Sequence, residues 1–78
     1  MATDRKKEIP NEVITVGNNI ARIIREKDLK LRIVAHDSDL DIEALRRYIK
    51  GSVVMGIDKA LNIAKALSVD ISELFKGV

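Results

Sequence analysis

The sequence contains no cysteine, no tryptophan and only two aromatic residues, Tyr48 and Phe75. Without cysteine the protein cannot form a disulfide bond or a cysteine-ligated zinc site, which agrees with the cytoplasmic location that we expect. Because aromatic side chains are so few, the core must consist of isoleucine, leucine, valine and alanine, a composition that suits a helical bundle. A chain of 78 residues forms one domain at most.

Long apolar segments are also absent. The longest apolar runs are only a few residues, so the sequence predicts no membrane-spanning helix, and its beginning lacks the apolar core of a signal peptide. The first residues are polar and show no periodicity. We therefore predict a flexible N-terminal arm over residues 1–10 and one folded domain over residues 11–78.

Patterns that indicate catalysis or a bound cofactor are missing. The serines have no partner base at a recognisable spacing, and no glycine-rich phosphate loop occurs. The carboxylates between Asp37 and Glu43 do not follow a calcium-loop pattern, and His36 has no second histidine or cysteine with which to share a metal ion. We expect no enzymatic activity, no metal, no cofactor and no small-molecule ligand.

Neither sign of charge dominates, since 14 basic and 12 acidic residues leave a net charge of +2. The basic residues nevertheless form two clusters, Arg22, Arg25, Lys27, Lys30 and Arg32, and Arg46, Arg47 and Lys50. Between these clusters lies an acidic belt formed by Asp37, Asp39, Asp41 and Glu43. Carboxylates are repelled by phosphate, so we expect only weak non-specific affinity for nucleic acid.

The first periodic segment predicts a helix that starts near Pro10 and Asn11 and ends around residues 27–29. Asn11 is able to cap this helix. Apolar residues recur at helical spacing, namely Val13, Val16, Ile20, Ile23 and Ile24. The competing interpretation is a short strand over residues 13–16, because these residues are mostly β-branched and Gly17 follows them.

Residues 31–51 have the pattern of two short helices joined by a tight turn. The helices are predicted over residues 31–37 and 42–50, with Asp41 as N-cap of the second helix and Gly51 as its left-handed end. Ala35 is small enough for the point where the helices cross, and Asp39 tolerates the positive φ that the turn requires. This is the pattern of a helix-turn-helix, whose second helix is built to enter a DNA major groove.

The last third of the chain predicts two more helices after a loop over residues 52–56. Helix four should begin at Ile57 or Asp58, end at Leu67 and bury a set of apolar residues, namely Ile57, Ala60, Leu61, Ile63, Ala64 and Leu67. A final short helix should span residues 71–75, capped by Asp70 or Ser72. The predicted fold class is therefore all-α with five helices.

Several segments together resemble one known family. They are residues 16–20 at the start of helix one, Asp28-Leu29-Lys30, Val34-Ala35, Lys50-Gly51, and residues 62–75 with their Ala-Leu-x-Val-x-Ile-x-Glu-Leu ending. In this order and spacing they are similar to the Xre-type helix-turn-helix family, which includes phage repressors of the lambda and Cro kind and restriction-modification controller proteins. The resemblance implies a lambda-repressor-like bundle that binds double-stranded DNA.

The chain also departs from that family's pattern. Many members carry a buried Arg–Glu ion pair at the positions of Ile24 and Ile49. Here both positions are apolar, so the double replacement leaves no unpaired charge in the core. Leu31 replaces a frequent glutamine that contacts phosphate, and the loop after Gly51 lacks basic residues. These two departures weaken the case for tight DNA binding.

The resemblance places the DNA contacts on and around helix three. The residues implied for base contacts are Ile42, Glu43, Arg46 and Arg47, and those implied for backbone contacts are Lys30, Arg32, Asp41 and Lys50. Arg47 could bind guanine bidentately, and Arg46 could instead contact phosphate. The alternative is a solvated helix face with an i,i+4 pair between Glu43 and Arg47. The basic residues of the N-terminal arm have two interpretations: they contact DNA, or they belong to a solvated tail. The polar composition of the arm favours the solvated tail.

Apolar residues in the loop and near the C-terminus predict a homodimer interface, because a small monomer exposes few such residues. The residues expected there are Val53, Val54, Met55, Ile71, Leu74, Phe75 and Val78, although some of these side chains must fill the core instead. A two-fold dimer would read a palindromic operator. The sequence thus predicts a dimeric transcriptional regulator of the repressor or controller type. The alternative is a protein-interaction module, antitoxin-like or an assembly subunit, that kept the fold with weak or no DNA binding.

Overall fold

Four α-helices and one short 3-10 helix follow one another within residues 10–78. In the computed structural model, which describes residues 10–78, α1 spans Asn11–Glu26, α2 spans Leu31–Asp37, α3 spans Ile42–Lys50 and α4 spans Ile57–Leu67. A 3-10 helix follows at Ile71–Glu73. The predicted all-α class is confirmed over these residues, which contain no strand. The predicted N-terminal arm lies, apart from Pro10, outside the described residues.

The prediction of five α-helices is wrong in its last element. The backbone N–H groups of Leu74 and Phe75 donate to the carbonyl oxygens of Ile71 and Ser72, so the segment is a tight series of i→i+3 turns. Short helical segments adopt this geometry because they offer few i→i+4 partners. Gly77, which follows this segment, has φ 83°, outside the helical region.

Helix α1 includes the segment for which a strand was the competing interpretation. The core-facing side chains of Val16, Ile20 and Ile23 are 5%, 0% and 4% exposed, so the helical spacing prevails over the β-propensity of single residues. Three predicted side-chain caps are absent. Asn11 is the first helical residue rather than a cap, and Asp41 occupies the N-cap position of α3 without a side-chain cap hydrogen bond. Asp70 likewise stands at the N-cap of the 3-10 helix without such a bond, and Ser72 lies within that helix.

All four α-helices end in the same way. At or just after each helix end lies a residue with positive φ, namely Asp28, Asp39, Gly51 and Ser68, at 56°, 60°, 71° and 59°. After each one, the next backbone N–H donates to a carbonyl five residues earlier, as in the bonds Leu29 to Ile24, Leu40 to Ala35, Ser52 to Arg47 and Val69 to Ala64. This is the Schellman motif. Only one of the four positions is a glycine, and the predictions for Asp39 and Gly51 are confirmed.

The core is aliphatic and draws on all four α-helices and on Leu74, which follows the 3-10 helix. It consists of Val16, Ile20, Ile23, Val34, Ala35, Leu45, Ala60, Ile63, Ala64, Leu67 and Leu74. Ser38 is also fully buried, and its Oγ donates to the carbonyl oxygen of Val34 at 2.7 Å, which explains how a polar residue is tolerated in the turn between α2 and α3.

Two residues of α4 that were predicted to be buried are instead exposed. Ile57 and Leu61 are 68% and 44% exposed, since the buried stripe of α4 runs through Ala60, Ile63, Ala64 and Leu67 and leaves them on one side of it. None of the helices within residues 10–78 is long and apolar enough to cross a lipid bilayer.

The close contact between α1 and the end of α3 sets the position of α3. A Cβ at Gly17 would lie 2.5 Å from the carbonyl oxygens of both Tyr48 and Ile49, so only glycine allows the two helices to approach this closely. Gly51 likewise faces Ile14, whose Cα would be 2.9 Å from an added Cβ. The orientation of α3 therefore depends on two glycines.

Candidate nucleic-acid interface

Helix α3 exposes one polar face. Leu45 is fully buried, and Ile42, Ile49 and Tyr48 pack against the core. The exposed residues of the helix are Glu43, Arg46, Arg47 and Lys50. At 100° per residue these four side chains fall within an arc of about 100°, so they form one continuous face. We call this face, with three basic residues and one acidic residue, the basic face of α3.

The basic face borders an open groove of about 720 Å³. The groove has apolar walls from three helices, made by Ala21 and Ile24 of α1, Leu31 of α2 and Ile49 of α3. All four residues of the basic face line it too, together with Ser52, whose hydroxyl donates to the carbonyl oxygen of Arg47 at 3.2 Å. Sequence analysis did not identify Ser52 or Ala21 as part of the site, because their position depends on how the helices pack.

Ile24 and Ile49 both line the groove. They stand at the two positions where the resemblance to the Xre-type family implies an ion pair. Both side chains pack against the hydrophobic core. Because neither side chain is charged, the contact between α1 and α3 buries no charge that would need an oppositely charged partner. The charged groups of the groove are therefore confined to the basic face.

One ion pair forms on the basic face, and it differs from the predicted one. A guanidinium nitrogen of Arg46 lies 3.8 Å from a carboxylate oxygen of Glu43, with both side chains more than half exposed. Exposed pairs of this kind contribute little to stability. Within residues 10–78, Arg47 and Lys50 form no ion pair, so both cations face solvent.

The remaining residues predicted to contact DNA do not line the groove. Lys30 and Arg32 are exposed at the start of α2, on either side of Leu31. Asp41 is exposed at the start of α3. Ile42 is half-buried against the core, which leaves only part of its side chain accessible for contact with a base.

A second, apolar groove of about 240 Å³ lies where α1, the loop before α4 and the C-terminal turn meet. Its lining residues are Glu12, Val13, Val16, Val54, Met55, Ile57, Ala60, Phe75 and Val78. Four of them are large, exposed side chains: Val54 at 67%, Ile57 at 68%, Phe75 at 38% and Val78 at 58%. We call this surface the apolar groove.

The apolar groove contains part of the predicted dimer interface. Val54, Met55, Phe75 and Val78 line it. Leu74 is fully buried in the core, so its assignment to an interface is corrected, and Ile71 also packs against the core. Val53 is half-buried outside the groove. Ile57 was expected in the core and instead lines the groove.

Within residues 10–78, no group of three or more histidine, cysteine, aspartate or glutamate residues is placed to hold a metal ion. His36 lies on the surface, where its side chain is 87% exposed.

Comparison with known proteins agrees with this geometry. The model of the Cro/C1-type HTH DNA-binding domain matches residues 19–78, which is most of the chain. The restriction-modification controller protein C.AhdI from Aeromonas hydrophila is similar in structure, with a TM-score of 0.80 and 23% identity over 85% of this chain and 100% of that one. The clp gene regulator ClgR from C. glutamicum has a TM-score of 0.79 and 17% identity, over 83% of this chain and 84% of that one.

At these identities the structural likeness establishes the fold, and the family rests on the domain model. No curated protein sequence matches the chain significantly. The domain model includes α2, the turn at Asp39 and α3, the segments from which the helix-turn-helix was predicted. The chain belongs to the Cro/C1-type helix-turn-helix DNA-binding domain family.

Proposed function

We propose that this protein is a transcriptional regulator of the repressor or controller type that binds double-stranded DNA through α3. The basic face of α3 carries the proposal: it places three cationic side chains and one carboxylate on a single exposed arc of the second helix of the motif. A helix presented in this way fits the width of a DNA major groove.

Each exposed side chain of α3 has a distinct proposed role. Arg47 is exposed and forms no ion pair within residues 10–78, so it is free to donate to O6 and N7 of a guanine. Glu43 can accept from cytosine N4, and Arg46, which Glu43 holds at 3.8 Å, contacts the neighbouring base or phosphate. Lys50, at the end of α3, contacts the phosphate backbone.

The flanking residues complete the proposed interface. Lys30 and Arg32 at the start of α2 are exposed cations and would neutralise backbone phosphates. The accessible part of Ile42 would pack on a thymine methyl group, and Asp41 would lie beside the backbone next to it. The acidic belt keeps non-specific binding weak, so that base contacts account for a large share of the affinity.

We further propose that a second copy of the chain covers the apolar groove. Val54, Ile57, Phe75 and Val78 expose large apolar side chains on one surface of a 78-residue protein. Covering such a surface with an identical one around a two-fold axis removes both from water. The resulting homodimer would present two copies of α3 to a palindromic operator.

A protein-interaction module without tight DNA binding is the second candidate function. The observation that favours it is the combination of the acidic belt with a loop, residues 52–56, that has no basic residue beside α3. Such a module would use the apolar groove for a partner protein and would leave the basic face solvated.

Selection of bound sequences from random duplex DNA at near-physiological salt separates the two candidates. We expect the wild-type protein to enrich a palindromic motif and Arg47→Ala to lose it. Arg25→Ala, which removes an exposed arginine from the end of α1 outside the groove, should enrich the same motif as the wild type. A folded, dimeric protein that enriches no motif would favour the interaction module.

A further inference from the structure

One side chain of α1, that of Asn19, forms two hydrogen bonds to the C-terminal turn. The amide nitrogen Nδ2 of Asn19 donates to the carbonyl oxygens of Leu74 and Lys76, both at 2.9 Å. A primary amide has two N–H donors, and here both are used on the same turn. The two bonds join residues 55 and 57 positions apart in the chain.

Apolar neighbours also help to place this turn, since Phe75 and Val78 line the apolar groove beside Val13 and Val16 of α1. Leu74 is fully buried and anchors one end in the core. Beyond it, the backbone N–H of Val78 donates to the carbonyl oxygen of Phe75, which is a local bond that shapes the turn without attaching it to a helix. The bond from Asn19 to Lys76 lies between Phe75 and Val78 and attaches that stretch to α1.

The turn carries two of the apolar groove's exposed side chains. Phe75 and Val78 are 38% and 58% exposed and lie on either side of the carbonyl that Asn19 holds. Asn19 itself is placed three residues after Val16, a wall residue of the same groove, so both project from one face of α1. The amide therefore attaches the terminal turn beside the groove that we propose as the dimer surface.

We propose that Asn19 is a positioning residue for self-association. It holds Phe75 and Val78 in the arrangement that a second copy meets, so that their conformational freedom is lost on folding instead of on dimerisation. Association is stronger when the contacting groups are already ordered, and a two-fold dimer contains this contact twice. The inference rests on the homodimer of the proposed function and adds the residue that prepares its surface.

Replacement of Asn19 by aspartate tests the inference. In Asn19→Asp the amide nitrogen that carries both donors is replaced by a carboxylate oxygen, which can only accept and would face two carbonyl oxygens, so the turn should detach from α1. The matched control is Asn18→Asp, which makes the same chemical change at the neighbouring, exposed position. We expect sedimentation equilibrium to show a dimer dissociation constant that rises on the order of tenfold or more for Asn19→Asp, and little change for Asn18→Asp.

A second measurement distinguishes positioning from general stability. In ¹⁵N relaxation experiments on the folded proteins, backbone order parameters of residues 75–78 should fall towards those of flexible chain in Asn19→Asp, while those of α3 and α4 stay at wild-type values. If helicity is lost in Asn19→Asp, Asn19→Ala removes the donors without adding charge and retains a good helix former in α1.

The outcomes are distinct. Equal dimer constants for Asn19→Asp and Asn18→Asp, or a terminal turn as ordered as in the wild type, would overturn the inference while leaving the proposed dimer intact. A wild-type protein that sediments as a monomer would overturn the dimer and this inference together, and that result is visible before any variant is made.

Discussion

At the scale of single residues, Gly17 determines how closely α3 packs on α1. We expect Gly17→Ala to destabilise the protein by about 2 kcal/mol or more, because the new Cβ would lie 2.5 Å from two carbonyl oxygens that belong to backbone and cannot rotate away. Urea denaturation followed by circular dichroism measures this change.

Gly56→Ala provides the control for that measurement. A Cβ at Gly56 would approach only Oδ1 of Asp58, at 2.8 Å, and this is the movable end of an exposed side chain. We expect a change below about 1 kcal/mol there, since alanine is a somewhat poorer N-cap than glycine but restricts the unfolded chain more. Similar losses in the two variants would show that the α1–α3 contact is less tight than the distances indicate.

At the scale of secondary-structure elements, three of the four α-helices in the described residues end with a positive-φ residue that is not glycine. Asp39, in the turn between α2 and α3, has φ 60°, a conformation that glycine adopts at lower energetic cost. We expect Asp39→Gly to stabilise the protein by about 0.5 kcal/mol or more, measured by thermal unfolding, with the motif geometry unchanged.

Asp37→Gly removes the same charge at the last helical residue of α2, where the backbone is regular helix. Because glycine is a poor helix former, this control should destabilise the protein by about 0.5–1 kcal/mol. If Asp39→Gly destabilised the protein by a similar amount, the carboxylate of Asp39 would have to stabilise the fold by more free energy than the positive φ costs.

At the scale of the whole molecule, the basic face and the apolar groove are two distinct surfaces, which would separate the proposed DNA contact from the proposed self-association. Val54 lies in the loop before α4 and is 67% exposed in the apolar groove, so Val54→Asp should leave the fold intact. We expect this variant to sediment as a monomer at concentrations where the wild type is a dimer, because an unpaired carboxylate would have to be desolvated at the interface.

The control for Val54→Asp is Ile33→Asp. Ile33 is also exposed, at 49%, but it lies on α2 and does not line the apolar groove. This variant should remain dimeric. A monomer in both cases would show that an added negative charge, rather than its location in the groove, prevents association.

Much of the fold could be predicted because the deciding information is local. The bounds of α2 and α3 agree with prediction residue for residue, since the turn at Asp39 and the left-handed end at Gly51 depend on a few neighbouring residues. The exposed positions of Glu43, Arg46, Arg47 and Lys50 on α3 also follow from helical periodicity within one short segment. The sequence by itself thus determined the motif and the polar face that it presents.

Only the tertiary structure decided which apolar residues are buried and which surfaces they form. Leu74 enters the core and Ile57 leaves it, although both fit an apolar pattern equally well, because burial depends on which distant helix lies opposite. The carbonyl oxygens that Asn19 holds lie more than fifty residues away, and no periodicity predicts such a contact. Long-range packing, unlike helix formation, is decided by the arrangement of the whole chain.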